Sequence, residues 1–130
     1  MRSSADGKIV IGIDSINMIE ITQYIGQDGR HKEKFKDIIN IILGGLSNRY
    51  LYRREKIDKH VNNVSAMRFF VGQENDRIYC QETSEGENRK IIILGILHLH
   101  KDTDELSAEQ IKQITTLSNY QYVFENEKGK

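Results

Sequence analysis

The chain has 130 residues, 38% of them hydrophobic, and its 19 basic side chains are cancelled by 19 acidic ones. That length fits a single domain, residues 1–130, able to bury roughly two-thirds of its unfolded surface. A lone cysteine excludes an internal disulfide, and the longest apolar run, residues 91–97, is too short to cross a bilayer. A soluble cytoplasmic protein with no membrane attachment is therefore expected. The balance hides an uneven distribution: residues 30–69 carry ten basic and four acidic side chains, while both flanks are net acidic. Such a basic island suits a phosphate backbone, or is simply a solvated face rich in lysine.

Residues 8–13, KIVIGI, form an apolar run of strand length. Residues 14–25 fit a helix capped by Ser15 and a second strand about equally. After the turn GQDGR, the stretch HKEKFKDIINIILGGLSN predicts a helix. Its apolar stripe is Phe35, Ile38, Ile39, Ile42, Leu43 and Leu46, and Gly44 and Gly45 should end it. YLYRREKIDKHVNNV reads as a shorter helix or an ordered loop, with Ile57, Val61 and Val64 inward.

MRFFVGQENDRIYCQE, residues 67–82, reads as two strands joined by a polar turn. Opposing Val71 to Asp76 around a turn at residues 72–75 segregates the side chains by character. Met67, Phe69, Val71, Ile78 and Cys80 then share a core face, and Arg68, Phe70, Arg77, Tyr79 and Gln81 share the other. In that register Arg68 and Arg77 are diagonal neighbours, roughly 7–8 Å apart. RKIIILGILHLHK, residues 89–101, is a nearly continuous apolar strand of the sort found mid-sheet, with His98 and His100 on one face at its end. In LSAEQI, Ser107 is an N-cap and Gln110 completes a capping box. Leu106 and Ile111 suit a hydrophobic staple, and Ile111, Ile114 and Leu117 make the inner stripe. YQYVF alternates as a last strand, and residues 1–7 and 125–130 read as flexible ends. The whole is α+β: a small antiparallel sheet of four to five strands, with helices packed mainly on one face.

The chemistry-bearing residues collect around the two central strands. A buried guanidinium without a partner is costly, so Arg68 and Arg77 face solvent, hold an anion, or pair with Glu74, Asp76 or Glu82 across the turn. His98 and His100 could be ordinary strand-end residues. Their H-x-H spacing could also hold a metal, with His31 or His60 recruited. No cysteine or carboxylate constellation supports that, so neither metal nor cofactor is expected. Cys80 reads as a buried thiol. Phe70 and Tyr79 could stack a base or lie under a second packed layer; Tyr50 and Tyr52 are also available for stacking.

The succession MRF, DRIY, a hydrophobic strand ending in His/Lys, and a terminal helix with EQI resembles the RelE/HigB branch of bacterial toxins of toxin–antitoxin pairs. The likeness spans about residues 57–115, with Ser107 standing at a position where the family often has proline. It implies a single RelE-like domain that cleaves mRNA on the ribosome without a metal: the ribose 2′-OH attacks the adjacent phosphate and expels the 5′-oxygen. The resemblance gives Arg77 the phosphate, with Arg68 beside it, and places the base and acid among His98, His100 and Lys101. Arg49, Arg53, Arg54, Lys56 and Lys59, with Tyr79, would bind the RNA. The implied partners are a cognate antitoxin, mRNA and the ribosome. The alternative is a non-catalytic protein of the same fold that binds RNA or a protein partner.

Overall fold

The computed structural model describes residues 2–55, 61–86, 88–99 and 107–122. Among these the chain is α+β, with three helices and one mixed, open sheet of six strands. The strands are β1 (Arg2–Ser3), β2 (Ile9–Ile13), β3 (Tyr52–Arg54), β4 (Val64–Phe69), β5 (Asp76–Glu85) and β6 (Arg89–His98). The helices are α1 (Met18–Gly26), α2 (Gly29–Leu43) and α3 (Ala108–Ser118). The spatial order is β1-β2-β6-β5-β4-β3. Every neighbouring pair is antiparallel except β2 and β6, which run parallel.

The expected antiparallel sheet of four to five strands is thus corrected to six strands with one parallel pair. The extra strands are short edges of two and three residues, too brief to leave an alternating pattern in the sequence. One of them, β3, lies where a helix or ordered loop was expected. The ambiguous segment is helical: α1 begins after Asn17 rather than Ser15, because Asp14 turns back to accept the amides of Ile16 and Asn17. Residues 119–122 follow α3 without strand pairing, and the rest of the expected last strand lies outside the described residues.

Alternation along the strands divides the core between the two faces. On one, Ile11, Met67, Phe69, Ile78, Cys80, Ile92 and Leu94 meet Ile21 and Tyr24 of α1 and Ile38, Ile39 and Ile42 of α2. On the other, Val64, Ala66 and Tyr79 meet Ile114 and Leu117 of α3. The helices therefore divide two to one across the sheet. A second apolar patch, Val64, Ala66, Tyr79 and Ile96, needs its own cover, and α3 supplies it. The capping box of α3 is formed as the sequence predicts, with Ser107 Oγ accepting from the Gln110 amide and Gln110 Oε1 from the Ser107 amide. Ile111, expected inward, is 38% exposed, and Gln110 turns in instead to reach Tyr79.

Two backbone details set the geometry of the α3 face. Gly95 sits at a register shift between β5 and β6, and a Cβ there would lie 2.5 Å from Leu117 Cδ1. Glycine is what lets α3 approach the sheet this closely. At the end of β4, Phe70 has φ of 56° and turns its ring towards α2, where it lies 4.9 Å from the His31 ring. The guanidinium of Arg30 stands 3.6 Å over the same ring. Phe70 therefore leaves the arginine face on which the sequence pattern put it.

Candidate nucleic-acid site on the α3 face

Arg68 opposes Arg77 directly, and Arg77 opposes His98, so the three form one row across β4, β5 and β6. The expected register was off by two residues. An even shift leaves every side chain on its face, so hydrophobic segregation could not distinguish the two alignments. The loop spans residues 70–75 rather than a four-residue turn, with the Gln73 and Asn75 amides both closing on the Phe70 carbonyl. The correction brings the arginines closer. The Arg68 amide donates to Leu51, on the β3 side. Arg68 and Arg77 therefore form a non-hydrogen-bonded pair, with Cα atoms about 4.5 Å apart.

Both side chains are nearly buried, Arg68 at 6% and Arg77 at 3% exposure. The three carboxylates that the sequence offers as partners each have contacts of their own. Glu74 pairs with Arg30 at 2.8 Å, and Asp76 accepts from the Tyr24 hydroxyl at 2.6 Å. Glu82 lies on the opposite face, bound to the Tyr52 hydroxyl, to Arg54 at 2.6 Å and to Lys90 at 3.4 Å. Among the described residues no carboxylate forms an ion pair with Arg77, whose guanidinium donates to its neighbour's carbonyl, Asp76 O, at 3.0 Å. Burial, then the positive charge of Arg68, pulls the Arg77 pKa below its usual value; Tyr79 and Glu55 oppose this, and Arg53 adds to it. The site thus concentrates positive charge in a region of reduced solvation, where an anion is held more strongly than in water.

His98 completes the row. Its Nδ1 lies 3.2 Å from Gln113 Oε1 on α3, and its ring is 6.3 Å from that of Tyr79. In the tautomer with the proton on Nδ1, that nitrogen donates to Gln113 Oε1 and the lone pair lies on Nε2. Tyr79 is fully buried, and its hydroxyl accepts from Gln110 Nε2 at 3.1 Å. Burial and the nearby Glu55 push its pKa up to about 12. Tyr79 therefore packs beneath α3, the second packed layer that was the alternative to stacking a base.

The remaining sequence candidates separate. Arg53 opposes Ala66 on the arginine side, while Arg54 opposes Ser65 and turns to Glu82 on the other side. Arg49 is exposed in the turn before β3, and its carbonyl accepts from Arg68 Nη1 at 3.2 Å. Tyr52 faces away from the row, its hydroxyl on Glu82. His31, in the first turn of α2, packs against Tyr24 and Phe70 on the other face of the sheet, so it cannot join His98 on a metal. Among the described residues no cluster of three metal-type ligands forms. Cys80 is buried in the α1/α2 core, and burial holds its thiol well above the usual range. Lys56, Lys59, His60, His100 and Lys101 lie outside the described residues.

Sequence reasoning missed Glu55 and Gln113. Glu55 is 9% exposed at the end of β3, with its amide on Val64 O, and acts electrostatically on both Arg77 and Tyr79. The signal was a single acid inside the basic run YRREK. Gln113 carried no signal, because only the docking of α3 brings it to His98. A separate polar cleft of about 550 Å³, lined by Arg54, Asn62, Asn63, Glu82 and Lys90 among others, lies at the far end of β5 from the arginine row. No helix among the described residues is long and apolar enough to cross a membrane. The chain matches no protein-family model, and no curated protein or solved structure gives a match.

Proposed function

We propose that the protein is a RelE/HigB-like toxin: a metal-independent endoribonuclease acting on mRNA at the ribosome in the cytoplasm and held in check by a cognate antitoxin. The observation that carries this reading is the row Arg68–Arg77–His98, two guanidinium groups and an imidazole on one face of three adjacent strands. The MRF and DRIY segments that resemble the family supply its two arginines. Cleavage by the ribose 2′-OH needs positive charge on the phosphoryl oxygens as the phosphorus becomes five-coordinate. Arg77 and Arg68 provide that charge. His98, positioned by Gln113, takes the 2′-OH proton or delivers one to the departing 5′-oxygen. The bond formed is 2′-O to phosphorus and the bond broken is phosphorus to 5′-O, leaving a 2′,3′-cyclic phosphate.

A second reading has its own observation. At 6% and 3% exposure, Arg68 and Arg77 leave little room for a reacting phosphate to be enclosed, as suits a RelE-like protein that binds RNA or a protein partner over its surface without catalysis. Induced expression in bacteria separates the two. Growth arrest with cleaved transcripts, relieved by Arg77→Ala, is expected of the enzyme. An unaffected culture with intact transcripts removes the nuclease reading.

A further inference from the structure

Resting on the RNA reading above, we infer that Tyr50 is the platform on which a base next to the arginine-held phosphate stacks. Four aromatic side chains near the arginines were candidates, and three are committed elsewhere. Tyr79 is fully buried beneath α3, Tyr52 is fixed to Glu82 on the opposite face, and Phe70 is sandwiched by Arg30 and His31. Tyr50 is 62% exposed, and its ring centroid lies 5.8 Å from the Arg68 guanidinium carbon.

The turn that carries it is held at both ends. Asn48 Oδ1 accepts the Tyr50 amide at 3.0 Å, and the Asn48 carbonyl accepts the amides of Leu51 and Tyr52. Arg68 donates to the carbonyl of Arg49, so the same side chain reaches the turn backbone and lies against the ring. A large exposed aromatic on a fixed turn, beside a cationic row, combines the two elements that single-stranded nucleic acid requires: a π-face for the base and positive charge for the phosphate. The ligand class is single-stranded RNA, with stacking that tolerates any base, because every base presents a π-face.

The test uses a short single-stranded RNA with 2′-O-methyl riboses, which cannot be cleaved, and reads binding by fluorescence polarisation. Tyr50→Ala should weaken binding roughly 5- to 150-fold, the range of one base–aromatic stack, and Tyr50→Phe should restore it to within about 2-fold of wild type. Across a salt titration Tyr50→Ala should leave the slope of log affinity unchanged, whereas Arg77→Ala should lower it by about 0.7. With abasic positions replacing the bases, wild type and Tyr50→Ala should bind alike. Wild-type affinity in Tyr50→Ala, or an equal loss on the abasic strand, overturns the stacking role while leaving the arginine site intact. Failure of wild type to bind the RNA overturns both.

Discussion

The two faces of the sheet are built from the same strands and perform opposite tasks. Towards α1 and α2, β4 and β5 present Met67, Phe69, Ile78 and Cys80 to a continuous apolar core. Even the charge at the end of that face is satisfied: Glu82 is closed on by Tyr52, Arg54 and Lys90. Towards α3 the apolar cluster is smaller, and beyond it the same two strands hold two arginines side by side. Placing like charges together away from water opposes folding, so this row draws on stability that the opposite face supplies. The comparison separates residues that hold the protein together from residues the fold holds in place.

Truncation of the α1/α2 face should give the largest effect. Phe69→Ala removes a fully buried ring packed at 5.3 Å from Tyr24 and should cost about 3–5 kcal/mol in a denaturant titration. A loss under 1 kcal/mol would mean that this face is not the main core.

The Glu82 network gives the next effect and a pH signature. Burial alone would raise the Glu82 pKa, but the Tyr52 hydroxyl, Lys90 and Arg54 outweigh it and hold the carboxyl below its ordinary 4.5. Its contribution is therefore fully present above that ordinary value and disappears as the pH falls through the lowered, folded-state value. Glu82→Gln should cost about 1.5–3 kcal/mol at pH 7. The gap from wild type should close in acid, as read by melts at a series of pH values; a constant gap would show that the network does not titrate this way.

On the other face, Gly95→Ala should cost about 1–3 kcal/mol, because the new methyl meets Leu117. Leu117→Ala costs stability in its own right, yet the double variant should lose less than the sum of the two. Strict additivity would show that α3 does not rest on Gly95.

The smallest stability effect sharpens the comparison most. Arg77→Met replaces a buried cation with an apolar side chain of similar length, and the melting midpoint should stay level or rise. The RNA cleavage proposed above should be lost, and RNA binding weakened, in the same variant. A fall of more than about 2 kcal/mol would make Arg77 a structural residue like those on the opposite face.

Much of this division was written in the strand pattern. Met67, Phe69, Ile78 and Cys80 alternate with Arg68, Arg77, Tyr79 and Gln81, so the faces were legible before the register was. Periodicity likewise marked α2 and β6, and Ser107 with Gln110 marked the start of α3. What alternation cannot reveal is a shift of two residues. The left-handed Phe70 lengthened the loop and moved Arg68 from a diagonal to a direct partner of Arg77. Nor could a basic run show that Arg53 and Arg54, adjacent in sequence, point to opposite faces of an edge strand only three residues long.

The sequence by itself determined which side chains share a side of each strand, because a pleated chain alternates and water sorts the two sets. Tertiary structure decided which of those side chains meet. Distances across a sheet depend on register, and register depends on how many residues the connecting loop consumes. The helices followed the same logic: α3 carries the information to be a helix, but only the close approach permitted at Gly95 brings Gln113 to His98. Local preference is encoded residue by residue, whereas a site is a coincidence of distant segments that packing alone brings about.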